Sequence, residues 1–161
     1  MGFFSRKQLP DMPPLVELPE AGEPIIFDDE EQSAIDNKIK HEFDTQFQNV
    51  PKEAAEILSQ EFAADALRNI TQLRLSRNDL KGAASSNIKV LGTTPVIKPS
   101  DWLLLAKIFA LHGDSIRAKS FISEANNTHK ESGIDKIDSY VKEGWKIRIA
   151  EVTNIIDAIQ R

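Results

Sequence analysis

The sequence predicts an all-α domain, a small bundle of antiparallel helical hairpins behind an extended Pro-rich N-terminal tail. Three observations carry that reading. Apolar residues recur every three or four positions in segments that begin near residues 29, 51, 100 and 132. Helix punctuation stands between them, with Pro51 and Pro99 ahead of two segments and the turn His112-Gly113-Asp114 behind another. Five of the eight prolines fall within residues 1–27, where no sustained period exists. A chain of 161 residues is long enough to bury one core without disulfides or metals to staple it.

The tail, residues 1–28, holds "LPDMPPLVELPEAGEP". Proline removes a backbone donor and biases its predecessor away from the α region, so this stretch is extended. It still carries apolar points at Phe3, Phe4, Leu9, Met12, Leu15, Val16 and Leu18. They suit docking into a groove of the same domain or of a partner, or else stand as sparse hydrophobes in a disordered segment. The first 14 residues have no apolar core of the kind a secretory leader needs, and Ser5-Arg6 departs from the myristoylation pattern. No apolar run approaches the roughly 18 residues that span a bilayer. The expectation is a cytoplasmic protein.

The helical domain is expected over residues 29–161. Its first helix shows Ile35, Ile39, Phe43 and Phe47 at four-residue intervals, with Asp28, Asp29, Glu30 and Glu31 at the positive end of its dipole. Four consecutive carboxylates cannot all face one ion, so capping explains them better than metal binding. Pro51 opens a second helix whose stripe runs Ala54, Leu58, Phe62, Ala66, Ile70 and Leu73; Asn78-Asp79 or Gly82 ends it. Residues 82–99, punctuated by Gly92, Pro95 and Pro99, read as an internal connector that is mostly loop. The last helix takes Ser132 as N-cap and buries Ile134, Ile137, Val141, Trp145, Ile149, Val152, Ile156 and Ile159. Ile147 and Ile155 widen that stripe, and Gly144 inside it costs about 1 kcal/mol relative to Ala.

Between these lies the hairpin 100–127. Trp102, Leu105, Ala106 and Phe109 share one face of its first helix, and Ala118, Ile122 and Ala125 mark the second. Small residues let two helices approach while the larger ones fill the wedge between them. The spacing resembles the tetratricopeptide repeat (TPR), with an aromatic, a Leu–small pair, a second aromatic, a tight turn, then small, bulky and small positions. The copies 34 residues upstream and downstream do not keep the pattern, so the resemblance covers this hairpin alone. Peptide-clamping members of that family carry polar side chains on the groove face of the first helix. The matching positions here are Leu103, Lys107 and Ala110, so the resemblance implies an apolar partner groove with one cation.

Composition limits the chemistry. Without cysteine there is no thiolate nucleophile and no Cys-ligated zinc. The histidines His41, His112 and His129 have no partner at metal-ligand spacing, and no phosphate loop or nucleophile elbow is present. No catalytic residue, metal or cofactor is assigned, and the chain is not read as an enzyme. Its charge is polarised: residues 1–65 hold five Lys/Arg against fifteen Asp/Glu, and the remainder fifteen against ten. The expected function is a non-catalytic protein–protein interaction or assembly subunit. It contacts protein partners, its own copies included, through Leu103, Lys107, Ala110 and the tail residues Phe3 and Phe4. The alternative is an accessory nucleic-acid binder that uses Arg74, Arg77 and Lys81, which share one face if the helix persists. Those same cations are also placed by charge to receive Asp28–Glu31, within the fold or across a dimer.

Overall fold

The computed structural model describes residues 17–46, 49–136 and 138–160. Among these, six α-helices follow in order, with no strand: α1 Asp29–Gln46, α2 Lys52–Ser76, α3 Leu80–Thr93, α4 Pro99–Leu111, α5 Ser115–Ser132 and α6 Ser139–Gln160. A single 3-10 turn, Ile134–Lys136, lies between α5 and α6. Each of the first five helices packs on its successor, and α6 folds back onto α4.

Aspartate opens most of these helices, because its short carboxylate reaches the free N–H groups of a first turn. Asp28 and Glu31 form a reciprocal capping box, each accepting the other's backbone N–H at 2.9 Å. Asp79 accepts from Gly82 N–H at 2.9 Å, Asp114 from Arg117 N–H at 3.0 Å, and Asp138 from Tyr140 N–H at 2.9 Å. In α4, Pro99 takes the first position, and Asp101 reaches back to Lys98 N–H at 3.0 Å.

The connector expected over residues 82–99 is instead helix α3 as far as Thr93. Ser and Asn are weak helix formers, but Asp79 caps the segment, and Ala83, Ala84, Asn87, Ile88 and Val90 are buried. Packing overrides propensity there. Its glycines mark close approach rather than a stop. The Asp79 carboxylate fills the space a Cβ on Gly82 would need, and a Cβ on Gly92 would meet Ile25 Cδ1 at 2.6 Å. The chain breaks before α3 at Asn78, which adopts the left-handed region with φ 59°. Ser132 ends α5 rather than capping a last helix. Gly133 at φ 67° terminates α5, and Asp138 starts α6.

Two apolar clusters form the core. One joins Ile35 of α1 to Ala63, Ala66 and Leu67 of α2 and Val90 of α3. The larger surrounds α4 with Ala83 and Ile88 of α3, Ala118 and Ala125 of α5, and Val152 and Ile156 of α6. Helix α4 is therefore largely enclosed, with Trp102, Leu104 and Lys107 partly buried, Leu111 exposed and the rest of its run "WLLLAKIFAL" buried.

The boundary expected at residue 28 lies too late. Phe27 packs on the first cluster, and Ile25 contacts Gly92. Deleting residues 1–27 should lower the thermal midpoint by about 3–6 °C below that of the chain lacking only residues 1–16. Differential scanning calorimetry of the two truncations decides this; equal midpoints would show that residues 17–27 contribute nothing.

Candidate functional site

The basic stripe proposed for nucleic acid is largely occupied within the fold. Arg74 is buried and faces the start of α1. Its Nη2 lies 2.7 Å from Asp28 Oδ2 and 3.1 Å from Glu30 Oε2, and its Nη1 lies 3.3 Å from Glu31 Oε2. Lys89 Nζ approaches the other Glu31 oxygen at 2.5 Å, and Arg77 pairs with Glu30 at 3.2 Å. Of the three proposed phosphate contacts, only Lys81 stands exposed without an acidic partner among the described residues. Arg74 is thereby corrected from a site residue to a fold residue, while Arg77 keeps a largely exposed side chain beside Glu30. The start of α1 thus meets the basic segment, and the fully buried Glu31 has Arg74 and Lys89 beside it to offset its desolvation.

This clamp sets a pH dependence. Burial of Asp28 opposes its ionisation, but the Glu31 N–H and the Arg74 guanidinium outweigh that and hold its carboxyl below the ordinary range. A depressed carboxylate contributes stability above its unfolded value, near 4, and loses it as pH falls through the lower folded value. Stability curves of the wild type and Asp28→Asn should therefore differ at neutral pH and converge under acid, as urea midpoints measured across pH will show. A constant gap at all pH values would contradict the clamp.

A second ionic centre sits at the N-terminus of α4. Arg68 grips Asp101 in two places, Nε to Oδ1 at 2.8 Å and Nη2 to Oδ2 at 2.9 Å. That bond, ahead of burial working against it, raises the Arg68 pKa. The Asp101 carbonyl accepts from Asn87 Nδ2 at 2.9 Å, so this residue ties α2, α3 and α4 together. A cleft of about 360 Å3 opens beside it, lined among others by Asn69, Gln72, Ser100, Lys107 and Arg148. Lys107 spends its Nζ on Glu151 at 3.0 Å. Leu103 and Ala110, expected on a partner groove, are 3 % and 0 % exposed because α4 is enclosed. They are corrected to core. Phe3 and Phe4 lie outside the described residues.

Exposed apolar side chains stand at several places, Ile26, Val96 and Ile116 among them, but on α6 two of them share one helix face. Tyr140 is 88 % exposed and Ile147 is 71 % exposed, one to either side of Gly144 in sequence. A Cβ at Gly144 would meet nothing within 4 Å, so no close contact inside the fold requires a glycine there. Beside it runs a groove of about 410 Å3 lined by Pro99, Ile134, Val141, Gly144, Trp145 and Arg148, among others. Its floor is held by the His129 ring stacked on Trp145 at 4.5 Å, and Trp145 Nε1 donates to Asn126 at 3.0 Å. The sequence carried a signal for this surface: Ile147 falls off the buried stripe, and Gly144 interrupts a helix at a cost. Tyr140 gave none.

Of the remaining histidines, His112 caps the C-terminus of α4, and His41 is exposed on α1. Among the described residues no group of three or more His, Asp or Glu is placed to hold a metal, and no helix is long and apolar enough to cross a membrane. Comparison with protein-family models, with curated proteins and with solved structures finds no match to this chain.

Proposed function

We propose that this chain is a non-catalytic protein-interaction or assembly subunit that docks through the open face of α6. The observation that carries the reading is the exposure of Tyr140 and Ile147 around an unfilled Gly144, beside an apolar groove. Large apolar side chains in water are costly unless a partner covers them. The TPR-like spacing of 100–127 fits the same class of role, with the α4–α5 hairpin as scaffold rather than groove. The tail, with Phe3 and Phe4, adds a linked second contact. Affinity capture with the full chain and with Ile147→Glu, each with and without nuclease, tests this. Proteins held by the wild type should be lost with Ile147→Glu and be indifferent to nuclease. Identical protein sets from both baits would overturn the α6 assignment.

A further inference from the structure

Resting on that docking reading, we infer that the occupant of the α6 face is the α6 of a second copy, packed antiparallel. Tyr140, Gly144, Ile147 and Glu151 alternate by four and three residues, the spacing of a two-helix seam. Helix α6 has 22 residues, about 33 Å, long enough for several such layers.

The face is complementary to itself in one register. Set Gly144 opposite the second copy's Ile147, and the largest aliphatic protrusion meets the position that has no side chain. Tyr140 then falls opposite the second copy's Glu151. That carboxylate gives Oε1 to Lys107 and keeps Oε2 to accept the phenol O–H. The flanking positions bring Arg148 beside the second copy's Val141 and Glu143 beside its Ala150, so no like charges meet. A parallel pair would instead set Gly144 on Gly144, leaving a void, and Glu151 on Glu151. The antiparallel register also gives Gly144 a purpose: a helix-interior glycine is unfavourable, and among the described residues nothing within 4 Å of a Cβ there explains it.

Sedimentation of the full chain over a concentration series tests the pairing. The wild type is expected to dimerise with a Kd on the order of 10 µM, and Ile147→Glu to stay monomeric with unchanged helicity. Gly144→Ala separates the fold from the interface. It should raise the thermal midpoint of the monomer by about 2–4 °C through helix propensity. The same change should weaken dimerisation about tenfold, about 1.4 kcal/mol, because its methyl occupies the seat of Ile147. The register is read by disulfide trapping, since the chain has no cysteine of its own. A mixture of Gly144→Cys and Ile147→Cys should cross-link faster than either alone. A wild type that remains monomeric near millimolar concentration, or faster cross-linking of each variant with itself, overturns the proposal. If Ile147→Glu still loses foreign proteins from the affinity capture while the wild type sediments as a monomer, self-pairing fails and the docking reading stands. If the capture is unchanged as well, both fail.

Discussion

Replacing Arg74 with alanine is expected to destabilise the fold by about 3–5 kcal/mol, the cost of removing one partner from a buried ion pair. Glu31 would remain with its side chain fully enclosed and only Lys89 beside it. Asp28 would lose its guanidinium, and Glu30 would keep only the exposed Arg77, so the tie between the start of α1 and α2 would weaken. Burial of Arg74 disfavours its charge, yet the hydrogen bonds of Asp28 and Glu30 raise its pKa, so the ion pairs win. Urea unfolding checks the value. The double variant Arg74→Met, Glu31→Leu should recover much of the loss, because buried pairs replaced by apolar groups are often neutral. A loss under about 1 kcal/mol for Arg74→Ala would mean that water reaches Glu31 and that the acidic cap is ornamental.

Phe109→Ala is expected to cost a similar 3–5 kcal/mol by opening a cavity at the centre of the larger cluster. The ring is 2 % exposed, lies 5.2 Å from Phe121, and belongs to the same cluster as Ala118 and Ala125 of α5. Those alanines have no exposed surface and no volume with which to refill the gap. Trp102, the other aromatic of that face, is half-buried and stacks on Phe121 at 6.0 Å. Its alanine variant should cost about 1–2 kcal/mol, less than Phe109→Ala. The reverse order in denaturant midpoints would place the core on the wrong side of α4.

Much of the helical plan was legible in the residues. The turn His112-Gly113-Asp114 stands where expected, with Gly113 at φ 85° and Asp114 capping α5. Ala118 and Ala125 are buried, as small residues at a close helix contact should be. The acidic run at residue 28 caps α1, and its receipt by Arg74 and Arg77 within the fold was one of the options that charge allowed. Helix α3 was hidden because most of its buried face is Ala, Ser and Asn, with only Ile88 and Val90 as large apolar residues, so it carries little hydrophobic period. Thr71 and Ser86 even hydroxyl-bond at 2.9 Å inside the α2–α3 contact. The groove expected at Leu103 and Ala110 fails for the opposite reason. Leu103 and Ala110 match groove positions of a repeat, but a helix apolar on every side belongs in the centre of a bundle. Ile147 was counted with the buried stripe although it lies away from Val152 and Ile156 around the helix. Periodicity gives a face; only tertiary packing says which faces remain open.

On the reading proposed above, the chain meets its partners through the apolar face of α6 and not through the basic residues at the α2–α3 junction, where acidic residues of α1 already hold Arg74. The most direct test is a photo-activated cross-linking residue placed at Ile147 and, in a separate protein, at Lys81, with both full chains irradiated in their native cell extract. Protein adducts, the chain's own copy among them, are expected at position 147, and no nucleic-acid adduct at position 81. Nucleic-acid adducts at 81 with a silent position 147 would contradict that reading.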